Sequence, residues 1–356
     1  MREKWVSNVR VRSAGRGAAV LTVAGMLAAA LAALPVAAGE PGTNATGPGA
    51  AAVSADGSRI VDMHGDGRYL TLTVFSAAMK SEFTVHVQRA ADTSVPRPVL
   101  YLLSGGSGGK GPGSWDQQTR AGEFLAGKNV HVVQPIGGAA SYYTDWRSPD
   151  PRLGIVKWKT YLTEELPPLI DAALHTSGVN AIAGVSMSGT SVLQLAIAKP
   201  GLYRAVAAYS GCARIADPIG QAYVRLTVAY SAGDAGNMYG PPGDPLWAAN
   251  DPYLNAAGLR GVELFLSSGN GIPGPYDRTG DHRLAGGGAV ALANQVLVGG
   301  IIEAATEQCT RSMADRLADL GIPATVVLRS YGTHSWGYWE DELAESWPVL
   351  ARGLGL

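Results

Sequence analysis

A serine hydroxyl is a poor nucleophile until a neighbouring base takes its proton, and one serine of this 356-residue chain lies in a setting built for that. Ser186 sits within Gly184-Val185-Ser186-Met187-Ser188-Gly189. Before it, residues 179–185 form an apolar run broken only by Asn180 and Gly184, as in a strand buried on both sides. After it, Met187, Val192, Leu193, Leu195, Ala196 and Ile197 give a helical pattern. Pro200 stops that helix, because the residue before a proline avoids helical dihedrals. A serine at a strand-to-helix corner, flanked by small residues, is a nucleophile elbow that lifts its hydroxyl clear of the sheet. Ser188 stands where the full motif has glycine.

The base serving such a serine comes from a loop after the last strand. Of six histidines (His64, His86, His131, His175, His282 and His334), only His334 meets that condition, in Gly332-Thr333-His334-Ser335-Trp336. His86 and His131 fall inside predicted strands, and His282, in the loop 270–288, is the reserve candidate. The imidazole needs a carboxylate to hold its tautomer. Eleven acids lie between Ser186 and His334, and position leaves four of them open. Glu303 begins a helix, where a carboxylate is favoured, Glu307 follows one turn on, and Asp277 and Asp281 come after a strand. The oxyanion donors expected are the N–H groups of Met187 and of Gly106, in the glycine-rich loop 104–109. Gly106-x-Gly108-x-x-Gly111 also matches a dinucleotide fingerprint, but Pro112-Gly113 follows it and not a helix. Lys110-Gly111 lacks the Ser/Thr of a phosphate loop, and no Cys/His/carboxylate spacing fits a metal. The expectation is a site without cofactor or metal.

The elements that must position these groups alternate. Residues 69–75 and 83–89 read as an antiparallel edge pair, and 98–103, 129–134, 179–185, 204–210, 261–267 and 324–329 as further strands. Helices are predicted over 119–126, 161–174, 187–198, 300–320 and 340–350. That alternation implies a mostly parallel central sheet with helices on both faces, the α/β-hydrolase fold, over residues 58–356. The glycine- and proline-rich stretch 211–252 reads as a cap or binding-loop insertion.

Residues 1–38 read as a secretory signal peptide: a basic start with Arg2, Lys4, Arg10, Arg12 and Arg16, an apolar run over 18–34, then small residues. Residues 39–57 form a flexible Gly/Ala/Pro-rich leader. No segment after Leu34 is predicted to be apolar enough to cross a membrane. The chain carries net −1, and removing the five basic residues and Glu3 leaves about −5, with no Lys/Arg cluster to bind nucleic acid. Two cysteines, Cys212 and Cys309, in an exported chain make either one disulfide or two buried thiols.

With these residues in view, the chain resembles the secreted mycolyltransferases and corynomycolyltransferases of the antigen-85 type. The likeness runs through Tyr101-Leu102-Leu103, Trp115-Asp116, Tyr143-Thr144-Asp145-Trp146, Lys157-Trp158 and Leu162-Thr163-Glu164-Glu165-Leu166-Pro167. Beyond the elbow it continues through Asp244-Pro245-Leu246-Trp247, Asn250-Asp251-Pro252, Gly269-Asn270-Gly271 and Gly332-Thr333-His334-Ser335-Trp336. The resemblance implies Ser186 as nucleophile, Glu303 as acid, His334 as base and Trp336 beside the acceptor site. It implies transfer of a mycolic-type acyl chain from a trehalose ester to a sugar or cell-wall acceptor, among cell-envelope lipids. Where the family has an Asp and, three residues on, an Arg that grip the sugar, this chain has Ser104 and Ser107. A Cys212–Cys309 bridge would pin the acid-bearing helix to the sheet end. Tyr230, Met238, Tyr239 and Trp247 would either line an acyl channel or form the core of the insertion. A carboxylesterase using water and a non-catalytic binding protein on the same fold are the alternative functions.

Overall fold

The computed structural model describes residues 54–284 and 287–356. The predicted signal, residues 1–38, and all but the last four residues of the leader 39–57 lie outside them. Nine strands form one sheet: β1 (Arg59–Asp66), β2 (Tyr69–Ser76), β3 (Ser81–Gln88), β4 (Val99–Leu103), β5 (His131–Ile136), β6 (Asn180–Val185), β7 (Tyr203–Tyr209), β8 (Glu263–Ser268) and β9 (Thr325–Leu328). Their order is β1-β2-β3-β5-β4-β6-β7-β8-β9. The pairs from β5 to β9 are parallel, whereas β1–β2, β2–β3 and β3–β5 are antiparallel. This is the α/β-hydrolase sheet expected.

Strands β4 and β6 are buried along their whole length, which is why their sequences lack polar alternation. Successive side chains of a strand point to opposite faces, so Leu100 and Leu102 enter one apolar cluster and Tyr101 and Leu103 the other. The elbow helix Met187–Ala198 and the helix Gly300–Asp319 cover one face through Leu193, Met313 and Leu317. The helix Ala121–Ala126 and the C-terminal helix Trp336–Leu354 cover the other through Leu125, Leu343 and Leu350.

Several boundaries differ from expectation. The β2–β3 pair is not the edge, because β1 lies outside it. Seven of the eight residues of β1 are exposed, so burial imprinted no apolar pattern on it. The helix predicted over 119–126 runs from Ala121 to Ala126, and a further short helix, Trp115–Gln118, precedes it, the two divided where the Thr119 hydroxyl closes on the Trp115 carbonyl at 2.7 Å. The final helix starts at Trp336, two residues after His334, and not at residue 340 as expected. The helix Gly300–Asp319 is preceded without a break by Gly288–Asn294 and a π-helical turn, Gln295–Gly299. Contrary to expectation, the resulting helix Gly288–Asp319 is long and apolar enough to span a membrane by length and composition alone. Its second half packs on the sheet, with Met313 and Leu317 buried.

Within 211–252, three helices (Pro218–Tyr230, Ala235–Tyr239 and Pro245–Ala249) each start from an aspartate, Asp217, Asp234 or Asp244, that caps their free N–H groups. Met238, Tyr239 and Trp247 are buried in the main core, while Tyr230 points to solvent. Cys212, just past β7, is bonded to Cys309, with a Cα–Cα distance of 5.0 Å.

Candidate active site

Ser186 takes φ 56° and ψ −123°, a conformation that side chains with a Cβ rarely adopt. Its N–H donates to the Tyr209 carbonyl at 2.8 Å, and its carbonyl accepts from Gly189 at 2.9 Å. The glycines around it answer to close approach. A Cβ on Gly184 would lie 2.8 Å from the Ser188 carbonyl oxygen, and one on Gly189 2.7 Å from that of Tyr209. Ser188, in the place of the usual glycine, accepts from Val185 N–H at 2.9 Å. Its hydroxyl faces the carbonyls of Val185 and Leu103, tying the elbow to β4.

Above the elbow, His334 Nε2 lies 2.7 Å from Ser186 Oγ, and His334 Nδ1 lies 2.7 Å from Glu303 Oε2. The ring packs edge to face on Trp339 at 4.9 Å, and its backbone N–H donates to the Gly299 carbonyl at 3.2 Å. Glu303 is buried, so each lone pair not facing the imidazole needs a donor. Its Oε1 accepts from Ser210 Oγ at 2.7 Å, Gly269 N–H at 2.6 Å and Ser268 Oγ at 3.1 Å. Ser210 in turn accepts from Trp339 Nε1 at 2.9 Å. These partners were absent from the sequence reading. Their available signal was position: Ser210 and Ser268 close β7 and β8 at the carboxyl ends, where sites form in parallel sheets.

The N–H groups of Gly106 and Met187 have no hydrogen-bond acceptor among the described residues. Met187 is the first residue of its helix, whose leading N–H groups have no intrahelical partner. Ser104 is buried in the same loop. Ser107 spends its hydroxyl within the loop, donating to the Gly113 carbonyl and accepting from Gly109 N–H. Trp336 packs edge to face between Trp115 at 5.4 Å and Trp339 at 5.0 Å.

The other candidates are held elsewhere. Glu307 pairs with Arg311 one turn along its helix, and Asp281 with Arg283. His282 is exposed, its Nδ1 4.0 Å from Asp281. His86 lies in β3 beside Asp116, and His131 is buried in β5, where desolvation pushes its imidazole down to about 4. Asp277 has a different place. Its carboxylate accepts from Thr333 Oγ1, Gln295 Nε2, Tyr338 Oη and Gly274 N–H, joining four segments beside the His334 loop.

Comparison with known proteins fits this arrangement. The Esterase family model matches residues 76–350. The diacylglycerol acyltransferase/mycolyltransferase Ag85A of Mycobacterium leprae (strain TN) is 30% identical over 292 residues, covering 80% of this chain and 83% of its own length. Ag85B of the same organism is 32% identical over 296 residues, covering 80% and 83%. The crystal structure of Mycobacterium tuberculosis MPT51 (FbpC1) superposes with a TM-score of 0.66 at 21% identity, covering 81% of this chain and 100% of that one. An S-formylglutathione hydrolase from Agrobacterium tumefaciens gives 0.57 at 16% identity, covering 83% and 99%, a likeness of fold. The chain belongs to the Esterase family and is a relative of the antigen-85 mycolyltransferases.

Proposed function

We propose that this protein is a secreted serine acyltransferase moving a mycolic-type acyl chain between trehalose esters and sugar acceptors through an acyl-enzyme on Ser186. The observation that carries the reading is the Ser186–His334–Glu303 hydrogen-bond relay, at 2.7 Å for each imidazole contact. It occurs in a chain 30% identical to a named mycolyltransferase.

In this reading His334 Nε2 takes the Ser186 proton as Oγ bonds to the donor ester carbonyl carbon. The oxyanion that forms lies against the N–H groups of Met187 and Gly106. Collapse breaks the bond to the sugar oxygen, which leaves with the proton from His334. An acceptor hydroxyl then gives its proton to His334 and attacks the acyl carbonyl, and Ser186 recovers a proton as it departs. Glu303 keeps the Nδ1 proton facing itself and stabilises the imidazolium. Apolar surface for the acyl chain leads up to the acid: Val290, Leu297, Val298, Ile301 and Ile302 are all exposed on the helix that carries Glu303.

A second reading, a secreted carboxylesterase, is favoured by one observation. The Ser107 hydroxyl is occupied within its own loop and Ser104 is buried, which leaves little there to grip a sugar. Transfer outruns water only when a bound hydroxyl is oriented, an advantage reaching ~10⁵ M or more in effective concentration. Incubation with a trehalose monoester separates the two readings. Diester is expected, and free acid alone at every acceptor concentration would leave the esterase. A fluorophosphonate that fails to label Ser186 would leave only a non-catalytic binding protein.

A further inference from the structure

Glu342, on the C-terminal helix Trp336–Leu354, is wholly buried and takes no part in the steps above. Its Oε1 accepts from Arg329 Nη1 at 2.7 Å. Arg329 also donates to the Tyr338 carbonyl at 3.2 Å and to Glu345 at 2.9 Å. Glu342 Oε2 is buried without a hydrogen-bond partner, and so is the Ser267 hydroxyl beside it. Ser267 and Ser268 are consecutive on β8 and point to opposite faces. Ser268 donates to Glu303 Oε1 at 3.1 Å. The end of β8 is thus flanked by two buried carboxyls, one in the proposed relay and one behind it.

We propose that Glu342 is a positioning residue for the Ser186–His334–Glu303 relay: a proton-exchanging carboxyl, sealed from substrate, whose charge state sets the field across the Glu303–His334 pair. The proposal rests on the reading of Ser186 as nucleophile. The titratable and charged groups facing Glu342 are Arg329 from the segment after β9, Glu303 from the helix Gly300–Asp319, Glu345 from its own helix and Tyr209 from β7. Burial, above all, pushes the Glu342 carboxyl up to about 8; Arg329 and the Ser267 hydroxyl oppose the rise, and the Glu303 and Glu345 charges add to it. While Glu342 holds its proton, Glu303 alone faces the imidazolium. Once the proton leaves, a second negative charge favours the imidazolium and strengthens His334 as a base.

The same proton is linked to folding. Unfolded, the carboxyl releases it near the ordinary 4.5, but folded it keeps it to about 8. Between those values the native state holds more protons, so this group's contribution to stability is full below about 4.5 and is lost as pH rises towards 8.

The test is the rate at which a fluorophosphonate labels Ser186 from pH 6 to 9.5, in wild type, Glu342→Gln and Arg329→Gln. Wild type should show a step centred near pH 8. In Glu342→Gln the ratio of rates at pH 9 and pH 6.5 should fall by about twofold or more, because the step that Glu342 ionisation adds is gone. Superimposable profiles would overturn the proposal while leaving Ser186 as the nucleophile. Arg329→Gln removes the cation that eases ionisation, so its step should move to higher pH, and an unmoved step counts against the proposal. Melting temperature, which needs no activity, should fall more between pH 5 and 8 in wild type than in Glu342→Gln; equal falls overturn the proposal. A wild type inert to the label at every pH would overturn both this proposal and the reading of Ser186.

Discussion

Replacing Glu303 by Gln changes one atom and should remove nearly all activity. The side chain keeps its length, but it now carries one acceptor and one NH2 group where the carboxylate had two acceptors. On the Oε1 side the Gly269 N–H lies at 2.6 Å, and a backbone donor cannot reverse its polarity. The amide oxygen must therefore take the Oε1 place, which turns the NH2 towards His334 Nδ1. That nitrogen must then accept, and the ring proton moves to Nε2, where it faces Ser186 Oγ across 2.7 Å. A base already protonated towards its nucleophile cannot take the serine proton. Loss of the correct tautomer with geometry intact costs about 10⁴-fold in kcat, or roughly 5.5 kcal/mol of transition-state stabilisation. The assay is the pre-steady-state burst of p-nitrophenolate from a short-chain ester, beside a thermal melt showing the variant folded. A folded Glu303→Gln protein acylating within tenfold of wild type would refute the assignment of the acid and the argument from Gly269.

Two further perturbations test the surroundings. Asp277→Asn places an NH2 group among four donors from Thr333, Gln295, Tyr338 and Gly274. Leaving buried donors unmatched costs about 1–3 kcal/mol, and loosening the base should lower the burst rate roughly 10- to 100-fold; an unchanged burst would make Asp277 a scaffold residue only. The Cys212→Ser/Cys309→Ser double variant removes a bridge between residues 97 apart, worth up to ~4–5 kcal/mol by chain entropy. Urea unfolding should show the lower midpoint, and a change below about 0.5 kcal/mol would mean that the bridge adds little constraint.

What the sequence discloses follows from where burial writes a pattern. The strands β4 and β6 and the elbow helix read correctly because both faces are packed, and Gly184 and Gly189 are legible because any Cβ there collides with backbone. The strand β1 is illegible for the opposite reason, since its exposed residues need only backbone pairing. Gly67, with φ 54° in the two-residue turn after Asp66, was the one mark of that hairpin. For the candidate site, chain order singled out His334 but left four acids. The choice among them depends on Ser210, Ser268 and Gly269, which converge on Glu303 from 34 to 93 positions away. Local pattern carries no trace of such convergence.

The imidazole is placed by more than its two polar contacts. Its backbone N–H donates to Gly299, the last residue of the π-helical turn Gln295–Gly299. The same turn sends Gln295 to Asp277, which also receives Thr333, the residue just before His334. Gly271 N–H donates to the Gly332 carbonyl at 2.8 Å, closing the loop from its other side. A π-turn inside a long helix commonly marks a functional site. Here it lies between an exposed apolar stretch, with Val290 and Leu297, and the buried Glu303. The turn therefore holds the His334 loop at two points, the His334 N–H directly and Thr333 through Asp277, while Ser210, Ser268 and Gly269 hold Glu303 from the ends of β7 and β8.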